Sequence, residues 1–267
     1  MIFSWLRDRR RRKLLAEPFP IRWERFLAEN VGHFALLPAP EQARVRDTTR
    51  ILVAEKTWEG GRGLFVTEEM KVTIAAQAAL LLLGNDHGYF AQVDSVVVYP
   101  SAMRNPVLDA GWEDDDISDG EIDGQTTFRG PVILSWDVVR DEGRDPGCGT
   151  NLVLHEFAHQ LDYLDGEMNG TPDIVDRDLK TRWRYVMTVA FRDHRRAVDR
   201  FEKTGEEPFF TDQAAETEEE FFADATEAFY CSPHEMRAEF PQVYELLSAY
   251  YKVDPTRWFP DPAPEPP

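Results

Sequence analysis

The apolar positions divide the chain into a mixed first half and a helical second half. FPIRWERFLAEN (19–30) and PEQARVRDTTRILVAEKTWEG (40–60) read as helices, the second opening with a proline near its first turn and closing at Gly60 and Gly61. GLFVT (63–67) is strand-like, and EEMKVTIAAQAALLLLGN (68–85) is apolar on nearly every side, the mark of a buried helix. SVVVYP (95–100) is a β-rich run that stops at its proline. The acidic, glycine-containing AGWEDDDISDGEIDGQ (110–125) reads as a turn or exposed loop. In TTFRGPVILSW (126–136), Arg129, Gly130 and Pro131 separate two short extended pieces.

From Thr150 onward helices dominate, at Thr150 to Leu164, Arg177 to Lys203, Gln213 to Tyr230, and in the pair PHEMRAEF (233–240) and PQVYELLSAYY (241–251). The tail DPTRWFPDPAPEPP (254–267) is too rich in proline to pack. No internal repeat interrupts this order. The expected organisation is a basic, flexible segment at 1–20, one domain at 21–258 and a disordered tail at 259–267. The fold class is α+β, with a small mixed sheet in the N-terminal half and a mainly helical C-terminal half.

At 267 residues and 42% hydrophobic, the chain can bury a substantial core. Its formal charge of −19 argues against nucleic acid, which requires a cationic face. The exception is LRDRRRRK (6–13), which follows a short apolar stretch, the reverse of the order in an export signal. It offers a short anchor for anionic lipid or an acidic partner. No apolar run reaches a bilayer-spanning length, and only two cysteines, Cys148 and Cys231, are present, which favours the cytoplasm. Cys148 is expected to be a buried free thiol rather than a ligand. The acidic loop lacks the carboxylate spacing of an EF-hand.

Candidate chemistry lies in TNLVLHEFAHQLDYLDG (150–166). His155 and His159 are four residues apart, so on a helix both imidazoles stack on one face and can meet one metal ion. Glu156 stands beside the first of them, within reach of a water on that ion. The string is H-E-x-x-H, the zincin signature, and it is embedded in apolar helix formers. Burying three such groups costs several kcal/mol unless a centre of positive charge compensates.

A catalytic zinc takes a third protein ligand. The longer pattern H-E-x-x-H-x-x-G-x-x-H fails, because Asp162 occupies the glycine position and Asp165 the third histidine position. Asp165 is one candidate. The other lies in ETEEEFFADATEAFYCSP (216–233), where Glu220 and Asp224 are spaced to share a helix face and FFA after Glu220 turns it inward. Glu220 would bind the ion, and Asp224 would accept a hydrogen bond from the free ring nitrogen of a ligating histidine. Glu216, Glu218, Glu219 and Glu227 compete for the ligand role, although most charges on so acidic a helix are solvated.

VLHEFAHQLDYLDGEMNGTP, EEEFFADATEAFY, VTIAAQAALLLLG, VVVYPSAM and RGPVILSWDVV, with the opening MIFSWLRDRRRRKLLAEPFP, resemble the Mlc titration factor A family of zinc metallopeptidases. The resemblance covers nearly the whole chain. It implies a zincin-like domain of the gluzincin type, similar to the catalytic domain of anthrax lethal factor, with one Zn2+ and aminopeptidase-like activity. In enterobacterial members it implies binding to the glucose repressor Mlc, hence an effect on sugar uptake. Carried over by position, the ligands fall on His155, His159 and Glu220 and the catalytic glutamate on Glu156. A tyrosine common in the family seven residues before the glutamate ligand is replaced by Gln213, a different candidate for holding the oxyanion.

The expected reaction is hydrolysis of a peptide or protein substrate, with Glu156 as the general base and then the general acid. PVILS (131–135) is the expected edge against which an extended substrate pairs. Gln213 and Tyr230, with Tyr163 and His234, are candidates to contact the oxyanion or substrate. His33, His87 and His194 show no ligand spacing. The rival reading is a regulatory protein-binding module in which zinc is structural, and a weaker one is a protease held at a membrane by its basic N-terminus.

Overall fold

The computed structural model describes residues 2–101, 103–104, 121–122, 124–126 and 130–260. Four helices come first: α1 (Ile2–Leu15), α2 (Ile21–Asn30), α3 (Gly32–Leu36) and α4 (Ala39–Glu55). Strand β1 (Thr57–Gly60), the buried helix α5 (Glu68–Leu80) and strand β2 (Ser95–Tyr99) follow. Next are β3 (Met103–Arg104), β4 (Glu121–Ile122), β5 (Gly124–Thr126), β6 (Val132–Ser135) and helix α6 (Trp136–Arg144). The rest is helical: α7 (Leu152–Asp162), α8 (Arg177–Thr204), α9 (Glu218–Cys231), α10 (Pro233–Glu239) and α11 (Pro241–Tyr251). This is the expected α+β fold with a small mixed sheet, consistent with a zincin-like architecture.

The sheet has the order β1-β2-β6-β5, the first three strands parallel and β5 antiparallel at the edge. Because β6 is covered on both faces, every one of its residues is buried, which is why its sequence is a continuous apolar run rather than an alternating one. Val132 and Leu134 join the main core, while Ile133 meets Tyr99 on the opposite face. The expected substrate-pairing edge at 131–135 is therefore corrected. β6 has a neighbour on each side, and among the described residues the edge strands are β1 and β5.

Several expected boundaries move. The helix expected to reach Gly60 ends at Glu55, because residues 57–60 gain a full ladder beside β2 as β1. Lys56 marks the change of direction, its Nζ donating to the carbonyls of Phe90 and Val93 at 2.5 and 3.0 Å. GLFVT finds no partner strand and forms a connection with Phe65 exposed. The expected loop at 110–125 contains β4 and the start of β5, and its other residues lie outside those described. Trp136, read as the end of an extended piece, instead opens α6, which runs to Arg144.

Near both ends the described residues make packing contacts with the rest of the structure. α1 is fastened to α4 by Arg11, which pairs with Glu55 at 2.6 Å, and by Arg50, which donates to the carbonyls of Leu14 and Glu17. At the other end, Trp258 is buried and Phe259 packs edge-on to His33, 6.0 Å between ring centroids. Residues 261–267 lie outside those described.

Candidate metal centre

The centre is built on α7, which packs against β5, β6, α5 and α9. Asn151 caps the helix, its side-chain oxygen accepting from the Leu154 N–H at 3.0 Å. Asp162 ends it by accepting the backbone N–H groups of Asn169 and Gly170 at 2.9 and 2.8 Å, and burial pushes this carboxyl up to about 6. The chain then turns through residues 163–165, and Gly166 closes the turn at φ 95°, a conformation that favours glycine. Asp165 is thereby carried to Lys180, 3.5 Å away, rather than to the histidines.

α9 supplies the carboxylates. Thr217 caps it by accepting from the Glu220 N–H at 3.3 Å, so Glu220 sits in the first turn with its side chain directed at the motif histidines. His155 Nε2 and His159 Nε2 are 3.2 Å apart. Glu220 Oε2 lies 3.1 Å from the first and Glu220 Oε1 3.5 Å from the second. Tetrahedral coordination with bonds of ~2.0–2.1 Å separates donor atoms by roughly 3.3–3.4 Å. Each of the three contacts is close to that separation, the two from Glu220 being made by different carboxylate oxygens, and two imidazoles with one carboxylate form a set that could hold a divalent cation. Glu156 is buried on the same helix, and its charge acts on His155.

The free ring nitrogen of His155 shows which carboxylate supports it. His155 Nδ1 lies 2.7 Å from Glu227 Oε1 and 3.8 Å from Asp224 Oδ1. Asp224 is engaged elsewhere, its Oδ2 accepting from the N–H and hydroxyl of Thr211 at 2.9 and 2.7 Å. The contact expected of Asp224 is thus made by Glu227, seven residues or two full turns from Glu220, where the same face of α9 meets α7 again. Asp224 instead ties down the turn that leads to Gln213. Glu227 also accepts from the Asn151 N–H at 2.5 Å, and Asn151 Nδ2 donates to Gln77 Oε1 at 2.8 Å. One buried carboxylate therefore joins the helix cap to the imidazole. The sequence signal for it was a lone glutamate in the otherwise apolar ATEAFY, in heptad register with Glu220.

Burial pushes both carboxyls up, but Glu220, hydrogen-bonded by both histidines, ends well below the usual carboxylate range. Glu227 is fully enclosed beside Asp224 and ends at about 7, with His155 opposing the rise. Burial lowers the basicity of His155, and the surrounding carboxylates of Glu220, Glu227 and Glu156 outweigh it and raise the imidazole.

Among the candidates for substrate contact, Gln213 reaches the centre, its Nε2 donating to Glu220 Oε2 at 3.0 Å. Tyr230 does not. It stands ten residues after Glu220, about 15 Å along the helix axis, and its buried hydroxyl donates to the Leu80 carbonyl at 3.2 Å. His33 and His194 contact the carbonyls of Tyr230 and Thr211 at 3.0 and 2.9 Å. Cys148 is exposed rather than buried, and Cys231 is the buried thiol.

A mixed-sheet α+β fold with two histidines and a carboxylate converging from two helices is an arrangement that suits a metallopeptidase-type enzyme, the class that the family match supports. Residues 5–252 match the Peptidase_M90 family, the glucose-regulated metallo-peptidases M90, and the chain belongs to that family. It is similar to Mlc titration factor A of Yersinia pestis (strain Pestoides F), 29% identical over 257 residues that cover 94% of this chain and 89% of that protein. The uncharacterized protein slr2042 of Synechocystis is 28% identical over 256 residues, 94% of this chain and 90% of that protein. The family implies a divalent metal, for which the cluster of His155, His159 and Glu220 is suited.

Proposed function

We propose that this chain is a zinc-dependent, aminopeptidase-like peptidase in which His155, His159 and Glu220 hold one zinc ion and Glu156 is the general base. The observation that carries the reading is the convergence of His155 Nε2 and His159 Nε2, 3.2 Å apart, with the carboxylate of Glu220 from a second helix, whose two oxygens lie 3.1 and 3.5 Å from them. Zinc, when bound, supplies a Lewis acid that acidifies water and polarises a carbonyl. Glu156 takes the proton of the attacking water and returns it to the leaving amine. Glu227 fixes the tautomer and orientation of His155 by accepting from Nδ1. Gln213, beside Glu220, is the amide donor available to a developing oxyanion. An extended peptide would pair with the side of β5 that has no neighbour among the described residues, next to α7. Two free cysteines suit the cytoplasm.

Glu156→Gln tests the reading. The variant should fold and keep its metal while hydrolysis falls by about 10²–10⁴, the usual worth of a general base. Unchanged hydrolysis would remove Glu156 from the role. Short peptides with free and blocked amino ends separate the exopeptidase reading, which requires the free amine, from endopeptidase cleavage.

The name of the Yersinia relatives supports a second reading, a regulatory module that binds a repressor of the Mlc type and in which zinc is structural. Such a module would retain repressor binding and its regulatory effect in Glu156→Gln, whereas a regulator acting by proteolysis would lose the effect.

A further inference from the structure

The cations of this acidic chain are unevenly spread. Six of them fall in the seven residues from Arg7 to Lys13, against a formal charge of −19 for the whole. α1 carries this run on a helix packed against α4. Arg11 faces the body, paired with Glu55 and stacked 4.2 Å over the Tyr89 ring, and Arg50 holds the carbonyls at the helix end. With Arg11 and Leu14 turned inward, the spacing i, i+4, i+7, i+8 places Trp5, Arg9, Arg12 and Lys13 together on the outward face, with Leu6 and Arg10 on its flank. Trp5 is 54% and Leu6 49% exposed, and the Arg9 guanidinium lies over the Trp5 ring at 5.6 Å.

An exposed indole and leucine within a cluster of arginines and lysine suit one chemical environment better than others. An acidic protein would satisfy the charges but leave the apolar groups without a specific match. At a membrane surface, tryptophan and leucine enter the boundary between headgroups and acyl chains while the cations meet phosphate. We propose that the outward face of α1 docks the protein on an anionic phospholipid surface, as a peripheral contact. No helix among the described residues is long and apolar enough to cross a membrane. The acidic remainder opposes docking weakly, because at a Debye length of about 8 Å only charges near the contact count.

Cosedimentation of the full chain with vesicles containing phosphatidylglycerol, and with vesicles of phosphatidylcholine alone, tests the proposal. Binding is expected to the first, not to the second, and to be lost at high salt. Each cation at the surface strengthens partitioning about fivefold, so replacing Arg9, Arg10, Arg12 and Lys13 together by glutamine should weaken it by roughly 600-fold. None of the four enters an ion pair among the described residues, so the melting midpoint should hold. If that variant is destabilised, replacing the three arginines by lysine keeps the charge and should keep binding. Tryptophan emission should shift to the blue on binding, and Trp5→Phe should abolish the shift. Equal binding to phosphatidylcholine, absent binding to phosphatidylglycerol, or binding that survives the four glutamines overturns the proposal. Capture by soluble polyglutamate without vesicle binding also overturns it, in favour of an acidic protein partner.

Discussion

Glu227→Gln separates the roles of the two buried carboxylates of α9. The wild-type carboxylate serves two donors at once, His155 Nδ1 at 2.7 Å through Oε1 and the Asn151 N–H at 2.5 Å through Oε2. An amide of the same shape has one oxygen, so one donor must face an NH2 group. If the imidazole loses its acceptor, its tautomer and orientation are no longer fixed, and metal affinity should fall by about 10–100-fold, the usual effect of losing a carboxylate behind a histidine ligand. If the helix cap loses it instead, a buried N–H is left without a partner, at about 1–3 kcal/mol of stability in the metal-free protein. Chelator competition measures the first quantity and urea unfolding of the chelated protein the second. Asp224→Asn is the control: since Asp224 serves Thr211, it should disturb the segment bearing Gln213 and leave metal affinity within a few-fold. Wild-type metal affinity and stability in Glu227→Gln, with a metal-binding defect confined to Asp224→Asn, would refute the assignment and restore the pairing expected from the sequence.

Two further outcomes follow from the core. Burial lowers His33 to about 4, and its Nδ1 is a buried atom with no hydrogen-bond partner, so the folded state carries it neutral. Between pH 6.5 and 4 the unfolded chain binds a proton that the folded one refuses, so stability falls as pH falls through that window, by roughly 3 kcal/mol. Unfolding free energies of wild type and His33→Gln should diverge in slope there, and parallel slopes would refute the account. Trp183 is fully buried, packs edge-on to Phe222 and Tyr250, and donates to the Gly170 carbonyl at 2.8 Å. Trp183→Ala should cost about 3–5 kcal/mol in urea unfolding, and a loss under about 1 kcal/mol would show that the site collapses around the gap.

The pairing of the histidines was legible because helical geometry is local. Positions four apart share a face wherever an apolar helix forms, and the Asn151 cap with its following apolar run makes α7 one. Glu220 was legible by the same logic, through its inward-facing neighbours. Glu227 was not, since whether Glu227 or Asp224 reaches His155 depends on how α9 crosses α7, a distance that neither helix encodes alone. That β5 rather than β6 lies at one edge was hidden for a like reason: both are short, and pairing order is a property of the assembled sheet. The helix expected to run to Gly60 shows the opposite failure, a local preference overruled when residues 57–60 found a parallel partner in β2.

What the sequence determined by itself was therefore the local periodicities: the α+β order, the buried α5, the shared face of His155 and His159 on α7 and the cationic run on α1. The tertiary structure alone decided which carboxylate supports which imidazole, where Asp165 and Tyr230 end up, and that β6 lies inside the sheet. Hydrogen bonds between distant segments form only where packing brings donor and acceptor within about 3 Å. Differences of one helical turn, invisible in a one-dimensional pattern, decide which partner is met.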